Sequence, residues 1–204
     1  GMKIGLISDL GNDMFSDFIR AKLRLEDIPD ILLRHHPEPM PTITAALSFP
    51  EDRAFVTYMA DLDKMEPFSG NVLDICTAKL LHLPGLKEAF ASRELVVKAQ
   101  KKGMTISLDC QWHPDLMDHP NVWDILKKID LFLPNEKEAI YLTKTTSPED
   151  ALEVLKSKVS SAVIKLGPQG AIGYNRDKET IRVPALKVDV VDTTGAGDSF
   201  NAGF

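Results

Sequence analysis

The chain of 204 residues is predicted to be an α/β protein of three layers, α/β/α, with a mostly parallel sheet, helices on both faces and a small β lid. Two observations carry that prediction. Short apolar runs of strand length alternate with amphipathic helical stretches along the chain, and alternation of this kind builds parallel sheets through helical crossovers. One segment, Thr42 to Met59, breaks the rhythm with two β-rich runs joined by Pro50-Glu51-Asp52-Arg53, the pattern of a hairpin.

The elements follow in order. Lys3–Ser8 reads as a strand, and Phe15, Phe18, Ile19 and Leu23 share one helical face, with Asn12 or Asp13 as its cap. Thr42–Phe49 and Ala54–Met59 form the hairpin, within a lid segment placed at 37–62; an ordinary edge hairpin is the alternative. Lys79–Leu83 is a strand, and Lys87–Lys102 a helix ended by Gly103. Thr105–Asp109 is a strand, Val122–Ile129 helical, Leu131–Leu133 a short buried strand and Glu136–Thr143 a helix. Ser147 caps a further helix with Pro148 at its first position and Glu149 and Asp150 in its first turn. Ala162–Leu166 is a strand. Ala171–Asn175 and Thr180–Pro184 form a second hairpin, antiparallel at the sheet edge. Leu186–Val191 reads as an apolar strand running into the last turn. The whole is read as one α/β domain over 1–204.

Composition sets outer bounds. Apolar residues at 44% and charged residues at 26% are ordinary for a globular chain. A net charge of −6 speaks against nucleic acid or an anionic membrane as the main partner. Two cysteines make no disulfide framework, so a reducing cytoplasm is the expected location. No apolar run reaches membrane-spanning length.

The chemistry concentrates at the C-terminal end, in Asp192-Thr193-Thr194-Gly195-Ala196-Gly197-Asp198-Ser199-Phe200. A turn of small residues opens a helix there, and the first N–H groups of a helix lack partners and favour an anion. Asp198 follows that nest directly. An anion-binding turn beside a carboxylate suits phosphoryl transfer to a hydroxyl: amides hold the phosphate and the acid takes the alcohol proton. A tight turn needing glycine for its dihedrals is the alternative, and it leaves Asp192, Thr194 and Asp198 unexplained together.

This nine-residue run resembles the C-terminal signature of the ribokinase-like (phosphofructokinase-B type) carbohydrate kinases. The resemblance implies a ribokinase-like fold and ATP-dependent phosphorylation of a hydroxyl on a small sugar or sugar derivative. It makes Asp198 the general base, also touching substrate, and Gly195, Ala196 and Gly197 the anion hole. It implies ATP and Mg²⁺ as cofactors. Asp192 and Thr194 fall where a monovalent cation such as K⁺ is held, with Thr194 also near the nucleotide. Asn135-Glu136-Lys137-Glu138 matches the family's Asn-x-x-Glu, implying that Asn135 and Glu138 act on the Mg²⁺ shell and ATP phosphates. The same four residues also read as a capping box. Lys165-Leu166-Gly167-Pro168-Gln169-Gly170 resembles the family's Gly-x-x-Gly turn along the nucleotide, with Lys165, Gly167 and Gly170 as contacts; a plain turn is the alternative. Asp109, at a strand's C-terminal end, is a substrate residue by position. The family's Asp-x-Asn-x-Arg is altered here to Asp109, Gln111 and His113, which counts against acidic or phosphorylated sugars.

The family's lid also implies a homodimer. Both ends read as interior to a longer protein, and the chain is expected to be an N- and C-terminally truncated member, with Met2 an internal methionine. A nucleoside kinase of the same fold and a non-catalytic ligand sensor stand as alternative functions. A dinucleotide-dependent dehydrogenase is set aside, because no strand leads into Gly-x-Gly-x-x-Gly. Cys110, His113, Asp115, Asp118 and His119 cluster without the spacing of a closed zinc site. His35, His36, Lys98, Lys101 and Lys102 are expected to be solvated.

Overall fold

The computed structural model describes residues 3–48, 53–59 and 66–204. The chain divides into two compact units, residues 1–66 and 67–204.

In the first unit, β1 (Ser8–Leu10) pairs in parallel with β2 (Leu33–His35), connected through α1 (Met14–Leu25). The N-terminal strand was expected over Lys3–Ser8 and begins where that range ends. Its apolar residues find no ladder partner among the described residues before Ser8, and a strand exists only through a neighbour's hydrogen bonds. Asp13 caps α1, accepting from the Phe15 and Ser16 amides at 3.0 Å each. These bonds and one from the Met40 amide hold its carboxyl below the usual range, the Met40 bond contributing most. His36, expected to be solvated, instead places Nε2 2.7 Å from Asp9, which also takes the Arg34 guanidinium on both oxygens. The expected hairpin is present as β3 (Thr42–Ser48) and β4 (Arg53–Met59), antiparallel with Thr44 opposite Thr57. Its connection, and the end of the 37–62 lid segment, lie outside the described residues.

The second unit is built on a six-stranded sheet ordered β10-β9-β8-β7-β6-β5. Strands β5 (Leu80–Leu83), β6 (Thr105–Asp109), β7 (Leu131–Leu133) and β8 (Ser161–Lys165) are parallel. β9 (Ala171–Tyr174) and β10 (Thr180–Val183) add the antiparallel edge hairpin. The crossover after β5 runs through α2 (Leu86–Ala91) and α3 (Arg93–Lys101), where one helix was expected. Ser92 interrupts it at φ −105° and ψ 44°, serving as the cap of both pieces through its backbone, which donates to the Glu88 carbonyl and accepts from the Val96 amide. Lys98 and Lys102, expected in solvent, tie α3 to a 3₁₀ helix over Gly70–Ile75: Lys98 bonds Asp74 and Lys102 donates to the Leu73 carbonyl at 2.6 Å.

After β6 come α4 (Pro114–Met117), in what was read as loop, and α5 (Val122–Leu126), shorter than expected because its last turn tightens to i→i+3 bonds. α6 (Glu136–Thr143) and α7 (Pro148–Lys156) follow as read, with the Ser147 Oγ accepting from the Asp150 amide. The chain closes with α8 (Ala196–Gly203). The stretch Leu186–Val191 is not a strand: none of the described strands pairs with it, and Val191 is 98% exposed.

Both faces of the sheet are buried at its centre, over β6 to β8. Leu133, Val163 and Ala171 point to one face and carry Phe200 of α8. Their neighbours Phe132, Ala162 and Ile164 point to the other and are fully buried, as strand alternation requires. α3 packs on β6, and α7 on β8 and β9.

Candidate active site

The residues singled out in the sequence gather at the carboxyl ends of β6, β7 and β8, where ligands bind in open α/β sheets. β6 delivers Asp109, β8 delivers Lys165, and the turn after β7 delivers Asn135, which bridges in parallel to Lys165.

Asn135 and Glu138 form a complete capping box. The Asn135 Oδ1 accepts the Glu138 amide at 3.0 Å, and Glu138 Oε2 accepts the Asn135 amide at 2.8 Å. Glu138 is 5% exposed. Burial pushes its carboxyl above the usual range; the Asn135 bond pulls it back and the Asp109 charge adds to the rise. The box therefore fixes the carboxylate in one rotamer at the end of β7 instead of competing with a role there.

Lys165 and Asp109 meet each other. The ammonium lies 2.9 and 3.1 Å from the two Asp109 oxygens, and each side chain is 13% exposed. The two residues expected near nucleotide and substrate are thus paired with each other. Asn201 completes the group: its Nδ2 donates to Asp109 Oδ2 at 2.6 Å and its Oδ1 accepts from Lys165 at 3.3 Å. Sequence reading passed over Asn201, although its spacing of three from Asp198 on a helix was the available signal. It also passed over His82, whose Nδ1 is 2.9 Å from the Ser107 Oγ on the same sheet face. Partial desolvation lowers the His82 pKa, opposed by the nearby charge of Asp109.

At the start of α8, Gly195 adopts φ 73°, a left-handed conformation that favours glycine. A Cβ on Gly195 would stand 4.0 Å from Asp198 Oδ2, so the exposed carboxylate lies beside the turn. One of the three anion-hole amides is corrected: the Ala196 N–H donates to the Thr193 carbonyl at 3.2 Å, closing the turn. Among the described residues the Gly195, Gly197 and Asp198 amides make no such backbone bond. A Cβ on Gly197 would come 3.6 Å from Lys165 Nζ, which places the ammonium beside the first turn. Asp192 Oδ1 accepts the Thr194 amide at 2.8 Å, shaping the approach.

The Gly167–Gly170 turn is a short 3₁₀ helix over Gly167–Gln169. A Cβ on Gly170 would sit 1.9 Å from the Val183 carbonyl oxygen, so this glycine admits the protein's own chain. Gly167 faces open space. Among the described residues no group of three or more His, Cys, Asp or Glu is placed to hold a metal. Cys110 is buried and held as a thiol by desolvation, and Asp118 is taken by Tyr141 and Lys144. No helix is long and apolar enough to cross a membrane among the described residues.

Residues 1–204 match the model of the pfkB family carbohydrate kinases. The whole chain aligns with the cytidine kinase of Thermococcus kodakarensis at 25% identity, spanning 73% of it. It aligns with the ATP-dependent 6-phosphofructokinase of Thermoanaerobacterium thermosaccharolyticum at 26%, spanning 66% of that protein's length. Among solved structures, one described as ribokinase II from E. coli in complex with ATP and Mg²⁺ superposes with a TM-score of 0.75 at 28% identity. That match covers 96% of this chain and 67% of the other.

Proposed function

Since the chain belongs to the pfkB family of carbohydrate kinases, we propose that it transfers the γ-phosphoryl group of ATP to a hydroxyl of a sugar or sugar derivative, with Asp198 as general base. The single observation that carries this reading is the exposed Asp198 carboxylate beside a turn whose Gly195, Gly197 and Asp198 amides make no backbone bond among the described residues. The substrate oxygen attacks the γ-phosphorus, its proton passes to Asp198, and the bond to the bridging oxygen breaks as ADP leaves. The free amides stabilise charge on the phosphoryl oxygens.

The buried Glu138, fixed by Asn135, offers a hard oxygen donor suited to the water shell of Mg²⁺. Bound there, the ion neutralises charge on the phosphates. The relative described in complex with ATP and Mg²⁺ supports that pairing. Asp192 and Thr194 remain the residues we propose for a monovalent cation. We further propose a reducing intracellular setting and dimerisation through the hairpin.

A nucleoside kinase is the second reading, favoured by the alignment of this whole chain with 73% of a cytidine kinase. Assaying ADP formation by the whole protein against a panel of sugars and nucleosides separates the two. In the same assay Asp198→Asn is expected to lower kcat by about 10²–10⁴-fold with ATP binding retained. Unchanged turnover in that variant defeats the assignment.

A further inference from the structure

The helix that bears the proposed base has few anchors. α8 is eight residues long, and its N-cap makes no side-chain bond. A helix this short depends on tertiary contacts. Phe200 supplies one, packing on Leu133, Val163 and Ala171. Apolar packing of this kind holds the helix against the sheet but leaves rotation about its axis poorly fixed, because dispersion and burial are non-directional. Hydrogen bonds are directional.

Asn201, the next residue, makes two of them into a largely buried ion pair of the site. It donates to Asp109 at 2.6 Å and accepts from Lys165 at 3.3 Å, while those two form their own ion pair across β7. The amide is matched to its partners: the NH₂ meets the carboxylate and the carbonyl meets the ammonium. Asp198 lies three residues earlier, and positions i and i+3 share a helix face. Whatever fixes the azimuth of Asn201 therefore fixes that of Asp198.

We infer that Asn201 is a positioning residue for phosphoryl transfer, locked by the Asp109–Lys165 pair so that α8 aims the Asp198 carboxylate at the acceptor hydroxyl. This rests on the reading of Asp198 as base. It gives a function to the one residue of the cluster that touches both charges. It also makes Asp109 and Lys165 the fixed end of a lever, not contacts to substrate and nucleotide.

The test is a cycle in the whole protein. Asn201→Leu keeps the size and removes both bonds. It is expected to lower kcat about 10- to 100-fold, the cost of misplacing a reacting group, with KM for ATP changed less than about twofold. Combined with Asp198→Asn it should lower kcat no further than Asp198→Asn alone, because there is no longer a base to aim. A merely structural role lowers both backgrounds equally, and that result overturns the inference. The exchange Asp109→Asn with Asn201→Asp keeps one carboxylate, one amide and one ammonium, so folding is preserved. It should restore kcat relative to Asn201→Asp alone, and a folded exchange variant as slow as Asn201→Asp also overturns it. If Asp198→Asn by itself leaves turnover intact, the base assignment falls and this inference falls with it. A slow Asp198→Asn with additive Asn201→Leu overturns the lever alone.

Discussion

Lys165 Nζ stands 2.9 Å from Asp109 Oδ2, joining the carboxyl ends of two strands that have β7 between them. With both side chains 13% exposed, neither charge can fall back on bulk water if the other is removed. Breaking such a pair costs more than forming it gains, since one desolvated charge is left behind. Lys165→Met is therefore expected to destabilise the protein by about 3 kcal/mol in urea unfolding. Adding Asp109→Asn should recover more than half of that loss. A single-variant cost below about 1 kcal/mol is the range of a surface pair and would show that the two groups are solvated.

Gly170 and Gly167 belong to one turn and should respond unequally to substitution. At Gly170, φ is 91° and the Val183 carbonyl already occupies the place of a Cβ at 1.9 Å. Gly170→Ala must displace the end of β10 and is expected to cost more than about 3 kcal/mol, strain and overpacking combined. Gly167→Ala has open space and pays only for its left-handed backbone, about 1–2 kcal/mol. Thermal melts of the two variants read the difference, and equal losses would refute the close approach.

These glycines mark where sequence reading reached and where it stopped. The strand–helix alternation that predicted the parallel sheet held from β5 to β8, and the central strands β6, β7 and β8 read as apolar runs because both their faces are largely buried. It misled at Leu186–Val191, which has the composition of a strand but no partner to pair with. The Asn135–Glu138 spacing announced a capping box because that motif is local. Asp13 and Ser147 were legible as caps for the same reason. The Asp109–Lys165–Asn201 group was not legible, since its members lie 56 and 92 positions apart along the chain for the bonds Asp109 receives from Lys165 and Asn201. No local pattern encodes a contact of that range. The amide of Ala196 was misjudged for a simpler reason: composition shows that a turn is made of small residues, but not which N–H closes it.

His82 gives the fold a sensitivity to acid. Its folded pKa is lowered from 6.5, chiefly by desolvation, so the folded state resists protonation that the unfolded chain accepts. The unfolded state then binds more protons between the lowered value and 6.5, and stability rises with pH across that window. Above it the contribution is complete; below it the contribution is lost. His82→Gln, which cannot titrate and still bonds Ser107, should match the parent above this range and become relatively more stable as pH falls through it. Parallel stability curves for the two proteins would rule His82 out.

Glu138 runs in the opposite sense and links stability to activity. Burial raises its carboxyl above 4.5 in the folded protein, so the folded state holds a proton that the unfolded chain has released. Stability contributed by the protonated form is present below 4.5 and is lost as pH rises through the raised value. The fold therefore disfavours the charge that this buried carboxyl carries when ionised. Glu138→Gln removes that charge and keeps the box, because a glutamine carbonyl can accept the Asn135 amide in the same way. The variant should be at least as stable as the parent at pH 7 and gain little below pH 4.5. If the oxygen charge serves the Mg²⁺ shell, turnover should fall about 10- to 100-fold, the usual cost of losing an outer-sphere partner. Raising Mg²⁺ concentration should restore part of it. A stable Glu138→Gln variant with full activity at limiting Mg²⁺ would leave Glu138 as a helix cap alone, and a variant that is destabilised at pH 7 would mean that the ionised form is the one the fold selects.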